Sequence, residues 1–127
     1  GCRKRLWPDL DQITGPSKAA DDISVDTLKA RLLAIQALEA IRCLEEGVVT
    51  DVREADVGSI LGYGFAPFTG GTLSYVDGIG AAAFLQECRD LEATFGERFA
   101  APALLVEMAE KGETFYGRFA PPADRAA

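Results

Sequence analysis

The stretch "LSYVDGIGAAAFLQECRDLEATFGERFAAPALLVE", Leu73 to Glu107, admits two readings that lead to different folds. In one, "LSYV" is a strand, Gly78, Gly80 and Ala83 form a GxGxxA phosphate cradle, the next segment is a crossover helix, and "ALLVE" is a second strand whose Glu107 holds a ribose. In the other, the glycines mark a junction between helices. Three features favour the second. Asp77 directly precedes the glycines, where its charge would face a pyrophosphate; Pro102 and Gly112 frame "ALLVE" as a helix; and the rest of the chain offers too few strands for a parallel sheet. The opening glycine pair is therefore read as a helix junction, with a small NAD-binding unit as the weaker alternative.

Phe84, Leu85, Cys88, Leu91 and Phe95 recur at helical spacing and Gly96 stops the segment. Upstream, "VDTLKARLLAIQALEAIRCLEEG" carries Leu28, Leu32, Ile35, Leu38 and Ile41 at three- and four-residue steps, with Leu33, Ala37 and Leu44 widening the stripe. Such a helix is expected to be buried on more than one side. Ser24 or Asp26 caps its start, and Gly47 turns the chain out of it. A further helix begins at "TDVREADVGSILG", where Asp51 and Glu54 stand at capping-box spacing and Val52, Ala55, Ile60 and Leu61 form the apolar face. Between these lies a glycine-rich connection, Gly62 to Ala83, read without a helix of its own. The "PALLVEMAEKG" helix follows Pro102 and ends at Gly112.

The 127 residues make one domain, divided into an extended lead-in (1–24) that Trp7 and Leu10 pin to the body, a helical domain (25–119) and a Pro/Ala-rich tail (120–127). The fold class is all-α. With 13 basic and 20 acidic side chains the net charge is −7, which disfavours nucleic acid and anionic membranes. Histidine is absent, so no Ser/His/Asp relay, Cys/His pair or His-containing metal site can form within the chain. Cys2, Cys43 and Cys88 show no CxxC spacing, which fits a reducing compartment, and Leu6-Trp7 runs into Pro8-Asp9 rather than a secretory leader. Asp51, Glu54 and Asp56 could be weighed as an acid/base group, but acids in a first turn complement the helix dipole and are read as caps. No catalytic, cofactor-binding or metal-ligating residue is assigned.

Residues 31–84, "RLLAIQALEAIRCLEEGVVTDVREADVGSILGYGFAPFTGGTLSYVDGIGAAAF", and 98–119, "RFAAPALLVEMAEKGETFYGRF", resemble the C-terminal domain of 3-hydroxyacyl-CoA dehydrogenases, specifically the second copy in the multifunctional fatty-acid oxidation α-subunit. The most specific parts are residues 46–71 and "AEKGETFY". The resemblance implies a helical bundle of the 6-phosphogluconate dehydrogenase C-terminal type. It implies a parent protein with an enoyl-CoA hydratase module, an NAD domain and two helical copies, in the bacterial cytoplasm or, alternatively, the mitochondrial matrix. The parent uses NAD and an acyl-CoA substrate, its catalytic residues lie upstream, and a thiolase β-subunit is a further partner that the resemblance allows.

The family's first copy carries an Asn-Arg pair where this chain has Ala30-Arg31, so the side chain near the reacting keto group is missing. The resemblance thus implies a bracing domain, inactive alone, that packs against the upstream NAD and helical domains. Phe65, Pro67, Phe68, Gly70, Gly71, Leu73 and Tyr75 are the candidate packing residues. Without its neighbour the domain is expected to expose an apolar patch and self-associate. A free-standing helical interaction module is the alternative.

Overall fold

The computed structural model describes residues 5, 7–15 and 24–119. Among them the chain forms α1 (Asp11–Thr14), α2 (Val25–Glu45), α3 (Val52–Tyr63), a 3-10 turn at Pro67–Thr69, α4 (Thr72–Ile79), α5 (Ala81–Phe95), a second 3-10 turn at Glu97–Phe99, α6 (Ala103–Lys111) and α7 (Phe115–Arg118). No described residue lies in a strand, so the fold is all-α. "LSYV" belongs to α4 and "ALLVE" to α6, and Gly80, at φ 95°, is the hinge between α4 and α5. The dinucleotide-binding βαβ unit therefore does not exist here; its glycines join two helices.

The long helix α2 forms as its apolar spacing predicts. Ser24 caps it, its Oγ accepting from the Thr27 N–H at 3.2 Å, and Gly47 leaves it in a left-handed conformation at φ 72°. One side of α2, Ala34, Ala37, Leu38, Ile41 and Leu44, is buried against Leu73 and Val76 of α4, Phe84 and Cys88 of α5, and Leu105 and Met108 of α6. Each large side chain fully withdrawn from water there contributes about 1.5–3 kcal/mol of transfer free energy. Phe65, Tyr75 and Phe84 extend this core as edge-to-face pairs with centroids 5.9 and 6.1 Å apart.

The second side of α2 differs from expectation. Leu28 and Leu32 are exposed, because no described element lies over them. Likewise Leu61, expected on the inner face of α3, is 81% exposed, and Trp7 of the lead-in stands 57% exposed rather than pinned to the body. Leu10 is half-buried. The lead-in holds the short helix α1, and the tail from residue 120 lies outside the described residues.

Two helices, α4 and α7, arise where the sequence signalled none, α4 in the glycine-rich connection and α7 beyond Gly112. Both are short, so local propensity alone cannot hold them. Acidic side chains from other elements stabilise their N-termini. A third helix receives the same support: Glu45, at the end of α2, accepts the Leu104 N–H of α6 at 2.7 Å, where the N-cap Pro102 has no side-chain acceptor to offer. Arg42 ties the Glu97–Phe99 turn to α2 by donating to the carbonyls of Arg98 (3.2 Å) and Ala100 (2.9 Å).

Asp51 caps α3 as predicted, accepting from the Arg53 N–H at 2.9 Å. Its partner is Arg53, whose guanidinium donates to both carboxylate oxygens at 3.1 and 2.6 Å, rather than Glu54. The Arg53 hydrogen bonds hold the Asp51 carboxyl at about 2, below the ordinary 3.8. Because the folded value lies below the unfolded one, the cap's contribution is complete above about pH 4 and disappears as pH falls toward 2. A carbon-13 NMR titration should place the Asp51 midpoint near 2, and Arg53→Ala should raise it toward 3.8.

Candidate functional site

The "DVGSILGYGFAPFTGG" segment, Asp56 to Gly71, folds back so that its ends meet. Asp56, on α3 and only 2% exposed, points its carboxylate at the start of α4. Oδ1 accepts the Leu73 N–H at 2.7 Å, while Oδ2 accepts the Ser74 N–H at 3.1 Å, the Ser74 hydroxyl at 2.5 Å and the Tyr116 hydroxyl at 2.9 Å. The N-cap position of α4 is Gly71, which has no side chain, so Asp56 supplies the capping carboxylate from another helix. Gly71 is required for this. It lies at φ 125°, and a Cβ built on it would overlap Asp56 Cβ, Cγ and Oδ1.

Ser59 completes the join, donating to the Asp56 carbonyl at 2.7 Å and accepting the Thr72 N–H at 3.3 Å. At the other end of α4, Asp77 accepts the Phe115 and Tyr116 N–H groups at 2.7 and 3.0 Å, fixing α7. Tyr116 then returns to Asp56. The hydrogen bonds run in a closed ring through α3, α4 and α7, with every oxygen of Asp56 occupied by a donor from the chain itself.

That ring assigns the acids weighed for acid/base chemistry. Asp51 is engaged with Arg53, Asp56 is buried as a cap, and Glu54 stands apart at the edge of a groove. Asp51 and Glu54 border one shallow cleft together with Arg53, and Asp56 does not line it. Among the described residues no group of His, Cys, Asp and Glu is arranged to hold a metal ion, and no helix is long and apolar enough to cross a membrane. Cys43 and Cys88 are free thiols; burial pushes Cys88 up to about 12, which leaves it protonated at neutral pH. Arg31 lies 4.1 Å from the Phe95 ring centroid, a contact inside the domain.

The seven candidate packing residues separate into two groups. Phe65 and Leu73 are buried in the domain's own core, Gly71 is seated on Asp56, and Tyr75 is half-buried between Phe65 and Phe84. Pro67, Phe68 and Gly70 face outward, and Phe68 is 90% exposed. The larger outward apolar surface lies elsewhere. Between α2 and α3 runs a groove of about 380 Å³ lined by Ile35, Ala40, Cys43, Val49, Ala55 and Tyr63, with Glu39 and Glu54 at its edges and no basic side chain. Leu28 and Leu32 prolong it along α2, and Val57 and Leu61 lie exposed on α3. The signal for it was present in the sequence, in the width of the apolar stripe on α2.

The described residues thus form an all-helical domain with a closed polar ring and, among them, an uncovered apolar face. No protein-family model matches it. It is similar to part of the fatty acid oxidation complex subunit alpha of several Shewanella species. Identity is 47% over 78 residues with that of Shewanella amazonensis, covering 61% of this chain and 11% of the relative. It is 40% over 104 residues with that of Shewanella loihica, covering 82% and 15%, and 43% over 88 residues with that of Shewanella frigidimarina, covering 68% and 12%. The chain spans between 11 and 15% of the length of these relatives.

Proposed function

We propose that the chain serves as the last helical domain of a multifunctional fatty-acid β-oxidation α-subunit, bracing the neighbouring helical domain and performing no chemistry alone. The parent reaction in this reading is the NAD-linked oxidation of a 3-hydroxyacyl-CoA to the 3-ketoacyl-CoA, coupled to an upstream enoyl-CoA hydratase in the cytoplasm. NAD and acyl-CoA bind the upstream modules. The similarity to a short part of fatty acid oxidation complex alpha subunits supports the assignment. One structural observation carries the bracing role: α2 is apolar on two sides, and the described residues cover only one of them. A surface of this kind marks a docking site.

The test uses the Shewanella loihica relative shortened by the segment that matches this chain. The shortened protein should lose most of its 3-hydroxyacyl-CoA dehydrogenase activity or melt at lower temperature, and adding this chain at about micromolar concentration should restore it. Leu32→Glu, at an exposed position, should fold normally and fail to restore. A shortened protein with full activity and stability would rule the bracing role out.

A further inference from the structure

We propose that Tyr63 is the polar anchor of the surface on which the neighbouring domain docks. Its hydroxyl, backed by the buried hydroxyl of Thr72, donates to an uncharged acceptor on that domain, a backbone carbonyl or a carboxamide. The anchor rests on the bracing role above and names the chemistry of the group that enters the groove.

Thr72 opens α4 and is fully buried, yet its hydroxyl has no hydrogen-bond partner among the described residues. A hydroxyl withdrawn from water without a partner carries its desolvation cost uncompensated, and native domains contain few of them. The neighbours of Thr72 limit what relieves it. Its N–H donates to Ser59 Oγ at 3.3 Å, and Ser59 gives its own proton to the Asp56 carbonyl at 2.7 Å. Tyr63 stands one turn beyond Ser59 on the same face of α3, and both line the groove. The Tyr63 hydroxyl lies beside those of Ser59 and Thr72: burial raises it above its ordinary 10.0, and the two hydroxyls pull it back.

Each hydroxyl has one proton to give. Ser59 has committed its own, so Thr72 is the donor still free, and the Tyr63 oxygen is the acceptor within its reach. When Thr72 donates to that oxygen, the Tyr63 proton turns outward over the groove. In the free domain the Tyr63 side chain is 57% exposed and leaves Thr72 unserved. A surface laid over the groove presses the ring onto Thr72, so docking closes a hydrogen bond that the free domain leaves open. The two linked hydroxyls then polarise one another and strengthen the outward donor.

The groove also limits what receives that proton. Glu39 and Glu54 stand at its edges and no basic side chain lines it, so a carboxylate or phosphate would enter against like charge. A neutral acceptor meets no such barrier, and the apolar walls at Ile35, Val49 and Ala55 keep water from competing for the bond. In each Shewanella relative the matching segment is 11 to 15% of the protein, so a covering domain is on hand in the same polypeptide.

Two near-isosteric variants test the anchor. Tyr63→Phe keeps the ring and Thr72→Val keeps the shape, each removing one hydroxyl. In the isolated chain Thr72→Val should melt no lower than wild type, because that hydroxyl makes no bond there. In the restoration assay with the shortened Shewanella loihica relative, each variant should raise the concentration needed for half-restoration about tenfold. The double variant should be no worse than either single one, because both break the same chain of hydrogen bonds. Thr72→Val melting several degrees lower, either variant restoring at the wild-type concentration, or additive losses in the double variant would overturn the proposal. Restoration by the wild type with both variants indifferent removes the anchor and leaves bracing intact. No restoration by the wild type removes bracing, and the anchor with it.

Discussion

Gly71→Ala should lower the stability of this domain by about 4 kcal/mol and its melting temperature by roughly 15 °C or more. Two costs add. A residue with a Cβ held at φ 125° is strained by about 1–3 kcal/mol, and the new methyl would drive Asp56 away from the α4 N-terminus. Losing charge-assisted hydrogen bonds to Leu73 and Ser74 costs about 1.5–3 kcal/mol more. A domain whose total stability is about 5–15 kcal/mol loses a large part of it. Gly64→Ala is the matched control, at φ 77° with open space around the Cβ, and should cost only about 1 kcal/mol. Urea melts of the two variants side by side decide the matter; equal losses would mean that Asp56 moves aside freely.

Asp56→Ala should be as damaging, about 4 kcal/mol, for a different reason. It leaves the Leu73 and Ser74 N–H groups and the Ser74 and Tyr116 hydroxyls facing a void in a buried site. Asp56→Asn keeps one acceptor but turns an NH₂ group toward donors, and should cost about half as much. Tyr116→Phe removes only one donor from the ring and should cost about 1 kcal/mol. The two changes should not add, because both break the same ring. Thermal melts and a double-mutant cycle read these values. A group used in chemistry would lose activity at constant stability, whereas Asp56 should lose stability; a melting temperature within 2–3 °C of wild type, a shift of under about 1 kcal/mol, would overturn its role as a cap.

The helices that were legible in the sequence are those with a full local signature. For α2, α5 and α6 the apolar period and the terminal glycine fall within one continuous segment, and in α2 so does the Ser24 cap. In α3 the same period was visible, yet Leu61 was placed on the wrong side, because period fixes which residues share a face and not whether that face is covered. The helices α4 and α7 escaped notice: eight and four residues long, they depend on Asp56 and Asp77 for their N-termini. Thr72 to Ile79 did carry apolar residues at Leu73, Val76 and Ile79, but the surrounding glycines masked them.

The candidate packing residues show the same division. Phe65 and Phe68 are three positions apart in one glycine-rich turn and indistinguishable by type, yet one is buried in the core and the other 90% exposed. Only the path of the backbone through Pro67–Thr69 separates them.

By itself the sequence determined that this chain is helical, that it has no histidine chemistry and that its long helix is apolar on two sides, because composition and local spacing are properties of neighbouring residues. Tertiary structure alone decided that Asp56, read as a cap of its own helix, caps α4 instead, through partners 17 and 60 positions away. It also decided which side of α2 is left open. Contacts at such separations arise only once helices pack, and no local period encodes them.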